Sequence, residues 1–192
     1  CGLHFGGCGW KPQNESDWDT LYRPDSVMRK DTPLTGIALY LGRGGCQKDI
    51  PRAVKLWQIA LTTFEANAAY CLGICALYGS GLEQSDVEAA KLLDKARNFG
   101  HYEAMFLLGQ MYMDGRGVEH DPWKAADCWI KGSENKHFGC RRLLAGLYWQ
   151  GLATSLATGV LQDFKTAIKL YKEAFEGGEK EAEQFLNIGF EK

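Results

Sequence analysis

The residues best equipped for chemistry are the seven cysteines and four histidines of this 192-residue chain. Cys71 and Cys75 are four apart, so on a helix both thiols lie on one face and could share a metal or react with each other. No His or carboxylate accompanies them on that face. Cys1, His4 and Cys8 form a loose C-x2-H-x3-C cluster, but zinc normally takes four ligands and no fourth lies nearby. His101, His120 and His137 stand at segment junctions and read as solvent-facing structural residues. No serine sits in a G-x-S-x-G elbow, and no G-x-x-x-x-G-K-[ST] phosphate loop exists. Gly42-Arg-Gly-Gly resembles a phosphate cradle, yet it falls where a turn is needed. Glu173, Glu176, Glu179, Glu181 and Glu183 are spread along one stretch, not paired for acid–base work. Arg141 and Arg142 form a local basic pair without counterparts in register, which argues against an RNA-reading column. The chain is therefore read as non-enzymatic, with no catalytic residues, no cofactor and no metal.

Bulk properties agree. Hydrophobic residues make up 45% and charged residues 24%, and the net charge is −2. That balance gives no general attraction to nucleic acid or anionic lipid. No apolar run approaches the roughly 20 residues of a membrane span. Cys1–Trp10 is too glycine-rich and polar for the core of a signal peptide. The first residue is Cys rather than Met, which implies a processed form or a fragment.

What positions these residues is an internal repeat. Shifting Ala104–Ala125 back by 36 places Ala68, Leu72, Gly73, Gly79 and Gly81 under Ala104, Leu108, Gly109, Gly115 and Gly117. One extra residue before Asp86 then brings it under Asp121. A second shift lines up Gly36, Gly42, Asp49 and Ala53. A forward shift lines up Cys140, Leu144, Ala145, Tyr148 and Gly151, then Asp163 and Ala167 after a six-residue insertion within Leu152–Gln162. A partial unit starts near Gly178. Successive central slots are 37, 36, 36 and 42 residues apart.

Each unit reads as two helices. Asp49, Asp86, Asp121 and Asp163 are placed to cap the second helix. Pro122 suits its first turn. Gly79/Gly81 and Gly115/Gly117 suit a helix end with positive φ. Gly73 and Gly109 lie inside first helices, where glycine costs about 1 kcal/mol relative to Ala; close approach of a neighbouring helix is the expected compensation, and Ala145 fits the same slot. The helix map is 33–41, 50–65, 67–78, 86–98, 101–113, 121–133, 137–150, 163–176 and 179–189. One hairpin cannot bury its own apolar face, but stacked hairpins can. The fold class is all-α, a right-handed α-solenoid. Residues 32–192 hold four repeats and a partial fifth. Residues 1–31, with Trp10, Trp18 and Tyr22, form an irregular strap.

The pattern Ala-x4-Gly-x2-Tyr-x2-Gly-x-Gly-Val-x3-Asp-x2-Lys-Ala, as it stands in Ala104–Ala125, resembles the Sel1-like repeat family, relatives of the tetratricopeptide repeats. Leu39 and Ala76 in the Tyr112 slot, and Thr166 in the Lys124 slot, depart from it. The resemblance implies an adaptor, an assembly factor or a subunit of a larger complex. A disulfide-stapled branch of the family pairs cysteines across the two helices of a unit; here Cys140 matches one position, but its partner region holds Gly132 and Ser133. Cys71, Cys75, Cys128, Cys140 and Cys46 occupy slots that other repeats fill with apolar or small residues, so they read as buried small hydrophobes. Free thiols point to the cytosol or an organelle interior, a mitochondrion included. Asn14-Glu-Ser is a lone glycosylation sequon, a weak signal.

The arc of the first helices opposite their core slots carries Tyr70, Ile74, Leu77, then Phe106, Gln110, Met113, then Arg142, Gly146, Trp149. It should be polar if it met only water. Six of the nine are apolar or aromatic. The expectation is a concave partner-binding groove, with burial within the superhelix or filling by the strap as the competing readings. The function expected is a protein-interaction scaffold, an adaptor or structural subunit within a multi-subunit assembly; the alternative is a transient assembly or quality-control factor.

Overall fold

The computed structural model describes residues 33–43, 46–63, 65–150 and 163–189. The strap, the Cys1/His4/Cys8 cluster and the Leu152–Gln162 insertion lie outside the described residues. The described chain is helical, with no strand: α1 Pro33–Leu41, α2 Ile50–Leu61, α3 Ala66–Tyr78, α4 Asp86–Asn98, α5 Tyr102–Asp114, α6 Pro122–Glu134, α7 Phe138–Gln150, α8 Phe164–Glu176 and α9 Ala182–Gly189. The chain divides into two compact blocks, residues 1–101 and 102–192.

Second helices start where a polar side chain takes up orphan amides. The Asp49 carboxylate accepts from the Arg52 N–H at 3.0 Å. Asp121 Oδ1 accepts from the Trp123 and Lys124 amides, both at 3.0 Å, and Asp163 Oδ1 from the Thr166 amide at 3.0 Å. Hydrogen bonds from backbone amides favour the ionised carboxylate. At Asp121 the Lys124 amide is the largest influence, and it holds the carboxyl below its ordinary range.

The second repeat differs from expectation. Ser85, not Asp86, is the cap: its Oγ accepts from the Glu88 amide at 3.3 Å, and Asp86 is the first helical residue. The backbone agrees. In every repeat the cap residue's N–H donates to the carbonyl of the same first-helix slot: Asp49 to Leu39, Ser85 to Ala76, Asp121 to Tyr112 and Asp163 to Tyr148. The first three caps are thus 36 residues apart, with no extra residue before Asp86. The additional residue lies instead in the loop between Gly36 and Asp49. Ser and Asp cap equally well, so a search for Asp alone slips by one.

Other boundaries shift for local reasons. α2 ends at Leu61, not 65, because the Thr62 and Thr63 hydroxyls bond back to the Ile59 and Ala60 carbonyls at 2.6 and 2.8 Å. α9 starts at Ala182, after Gly178 at φ +100° has turned the chain. The expected left-handed glycines are present: Gly79 and Gly81 have φ of +68° and +77°, and Gly115 and Gly117 adopt the same region.

The central slot explains the core. A Cβ on Gly36 would lie 2.5 Å from the Trp57 indole nitrogen, and one on Gly73 would lie 3.0 Å from Leu93. A Cβ on Gly109 would collide with the Trp129 indole. Ala145 packs in one cluster with Tyr171. Each first helix therefore has a hollow for one bulky side chain of its own repeat's second helix. Trp57, Leu93, Trp129 and Tyr171 are all at most 3% exposed. Trp129 also donates its indole N–H to the Phe106 carbonyl at 3.2 Å.

Candidate partner-binding face

The nine face positions do not share one environment. Tyr70, Ile74 and Leu77 are buried, at 3 or 4% exposure. The expectation that they face a partner is corrected. α3 carries no charged or amide side chain from Ala68 to Leu77, and a helix apolar nearly all round is a buried helix. Tyr70 also stacks on the His101 ring, 4.3 Å between centroids at 15°.

In the block 102–192 the corresponding residues remain half-buried: Phe106, Gln110 and Met113 on α5, and Arg142, Gly146 and Trp149 on α7. Trp149 meets the ring of Phe164 edge-on at 5.0 Å, and Phe164 is 46% exposed. Arg142 is held by two carboxylates of the following repeat, Glu179 at 3.4 Å and Glu181 at 3.1 Å. Arg141 reaches Glu173 at 3.2 Å and the Ser133 carbonyl at 3.3 Å. Both arginines are thus tied into the repeat stack.

Two histidines read as solvent-facing are not. His101 is 2% exposed. His137 is mostly buried, its Nε2 3.1 Å from Glu103 and its Nδ1 accepting the Cys140 amide at 3.1 Å. His120 does stay exposed, with Nδ1 2.6 Å from the Met113 carbonyl. The sequence held an unread signal here. Tyr70 faces His101, Phe106 faces His137 at 5.6 Å, and Arg142 faces Glu179. The first two pairs share one sequence separation, and the third adds the six-residue insertion. A face residue of each repeat is thus latched by the residue opening the next.

Cys71, Cys75, Cys128 and Cys140 are buried, as the repeat alignment requires, and Cys46 is partly exposed; all five are free thiols. Burial raises the Cys71 and Cys140 thiols, and it pushes Cys75 up to about 11. The Cβ direction of Gly132 points at the Cys140 sulfur, so a second cysteine there would face it, and glycine leaves the thiol unpaired. Since thiolate is the nucleophile, burial keeps Cys75 almost entirely in its unreactive thiol form near neutral pH. Of the five described cysteines, iodoacetamide on the native chain should label Cys46 first, and Cys75 increasingly as pH climbs toward its raised value. Peptide mapping that finds Cys75 modified as fast as Cys46, with helicity intact, would refute this burial.

The repeat model of the Sel1 family matches residues 34–62, 66–100, 103–137 and 141–179, more than half of the chain. The chain belongs to the Sel1 repeat family. Solved structures with the same fold include a Sel1 repeat protein from Oxalobacter formigenes, 22% identical with a TM-score of 0.67 over 88% of this chain and 60% of that one. Another is c5321, a protective antigen of uropathogenic Escherichia coli with an SLR fold, at 24% and 0.71 over 91% of this chain and 36% of that one. A third is Helicobacter pylori cysteine rich protein B, at 21% and 0.51 over 72% and 98%. The chain therefore spans 60% and 36% of the first two relatives' lengths. No curated protein matches it. The fold class is that of the Sel1 helix-turn-helix solenoids, a family that generally mediates protein–protein interaction. No described helix is long and apolar enough to cross a membrane.

Proposed function

We propose that the chain is a non-catalytic interaction scaffold, an adaptor or structural subunit, and that its partner lies on Phe106, Gln110, Met113, Arg142, Gly146 and Trp149. The observation that carries this reading is the Trp149–Phe164 pair, which leaves two large rings accessible beside a half-buried apolar strip. Aromatic, Met and Arg side chains of this kind are enriched at the cores of protein interfaces. The five free thiols fit a reducing compartment, the cytosol or an organelle interior.

The test is a Phe106→Asp/Trp149→Asp variant compared with wild type by affinity purification and mass spectrometry. Loss of co-purifying proteins with circular dichroism unchanged supports the interface. A loss of helicity in step with binding assigns the residues to the core instead. Fixed stoichiometry of the recovered partner is expected for a subunit, and variable recovery for a transient assembly factor.

A further inference from the structure

The outer edge of α8 carries large apolar side chains into solvent. Phe164 at its start is 46% exposed, and Phe175 near its end is 40% exposed. They stand three helical turns apart, so both lie on one side of the helix about 16 Å from each other. Between them Tyr171 is buried, and the α9 ring of Phe185 stacks on it, 4.8 Å between centroids at 5°. Phe185 is itself 37% exposed. Three phenylalanine rings therefore share one edge of the repeat. Scattered surface apolar residues are ordinary, whereas contiguous ones mark a contact site.

A basic strip borders this edge. At about 100° per residue, Phe164, Ile168 and Phe175 fall within an arc of about 40°, and Lys172, Lys165 and Lys169 within the adjoining arc of about 60°. The core stripe of the same helix, Ala167, Tyr171 and Ala174, adjoins the phenylalanines on their other side. All three lysines are exposed, the Lys169 side chain at 76%. Its ion pair with Glu173, at 4.0 Å and open to water, holds it only weakly. Glu176 is the carboxylate within the same arc, and Glu181, 70% exposed, stands four residues before Phe185.

We propose that an amphipathic helix of a protein partner lies along this edge, with apolar side chains on Phe164, Phe175 and Phe185 and acidic side chains beside Lys165, Lys169 and Lys172. A span of about 16 Å takes roughly eleven helical residues, so anchors spaced i, i+4, i+7 and i+11 meet the edge. Charge complementarity selects this occupant over a basic helix, which would face three ammonium groups. An anionic membrane is the lesser fit. A surface of one sign would also meet Glu176 and Glu181, whereas a helix can set an uncharged residue against each. Phe175, Phe185 and the lysines lie outside the groove positions on α5 and α7, so the two surfaces fail independently.

The probe is a phage-displayed library of helix-forming peptides of about eighteen residues, panned on the full chain, with recovered peptides titrated by fluorescence anisotropy. Recovered peptides should carry apolar residues at that spacing and acidic residues on one flank, and should become helical on binding. Lys165→Glu/Lys169→Glu/Lys172→Glu changes exposed side chains, so it should keep the melting temperature and weaken these peptides about ten-fold or more. Wild-type affinity should fall as salt is raised. Phe175→Ser removes an exposed ring and should weaken the same peptides about ten-fold. Binding of both variants within two-fold of wild type overturns the proposal, and loss of those peptides with Phe106→Asp then assigns them to the groove. A library without a binder overturns it as well. Capture of the chain by phosphatidylserine vesicles, abolished in the triple variant and with no peptide recovered, would give the edge to a membrane instead.

Discussion

Replacing Trp129 by Ala should lower the unfolding free energy by about 3–5 kcal/mol, the largest loss available in the block 102–192. The indole is 3% exposed and lies over Gly109, where no side chain from α5 can expand into the vacated volume. The Phe106 carbonyl also loses its donor. The check is urea denaturation followed by circular dichroism, with the midpoint falling and the slope unchanged. Trp129→Leu should cost less, since Leu93 over Gly73 already works in the preceding repeat. The companion Gly109→Ala collides with the indole in the wild-type chain, at about 1–3 kcal/mol. It should be milder in the Trp129→Leu background, and the difference is a coupling energy between two residues in contact. Additive effects of Gly109→Ala and Trp129→Leu would mean that the hollow and its plug do not touch.

The second large effect belongs to the block 1–101. Gly81→Ala should destabilise by about 2–4 kcal/mol, because two penalties combine there. Its φ is +77°, and a Cβ would lie 2.6 Å from Ile50 Cγ2 and 3.2 Å from Val54 Cγ2. Gly100 supplies the control. Its φ is +82°, yet a Cβ there meets nothing within 4 Å. Gly100→Ala should therefore show the backbone penalty alone, about 1 kcal/mol. Thermal melts of the two variants separate the contributions. Equal losses would show that Ile50 moves aside and that the loop does not rest on α2.

Much of this architecture was legible because it depends on local chemistry repeated at a fixed interval. A capping side chain, a left-handed glycine and a small residue in mid-helix each leave a mark that a 36-residue shift brings into line. Ser85 escaped because two good capping residues stand side by side, and only the amide-to-carbonyl bond to Ala76 separates them. The face was less legible. A helical wheel identifies the arc of Tyr70, Ile74 and Leu77 but not what covers it. The unbroken apolar run of α3 was the available clue, and it pointed to burial. His101 and His137 were misread because junction residues are usually wet, whereas these two lie under aromatic rings of the preceding repeat.

The cap-to-carbonyl bonds carry a consequence for length. Asp49, Ser85 and Asp121 each anchor the same kind of hairpin at the same interval. A cassette cut from Ser85 through His120 begins and ends at equivalent atoms. Spliced in duplicate, it would present each junction with the partner it already has. Growth or shrinkage by whole hairpins thus keeps the cap-to-carbonyl bond of each remaining hairpin, the bond that Asp163 also makes to Tyr148.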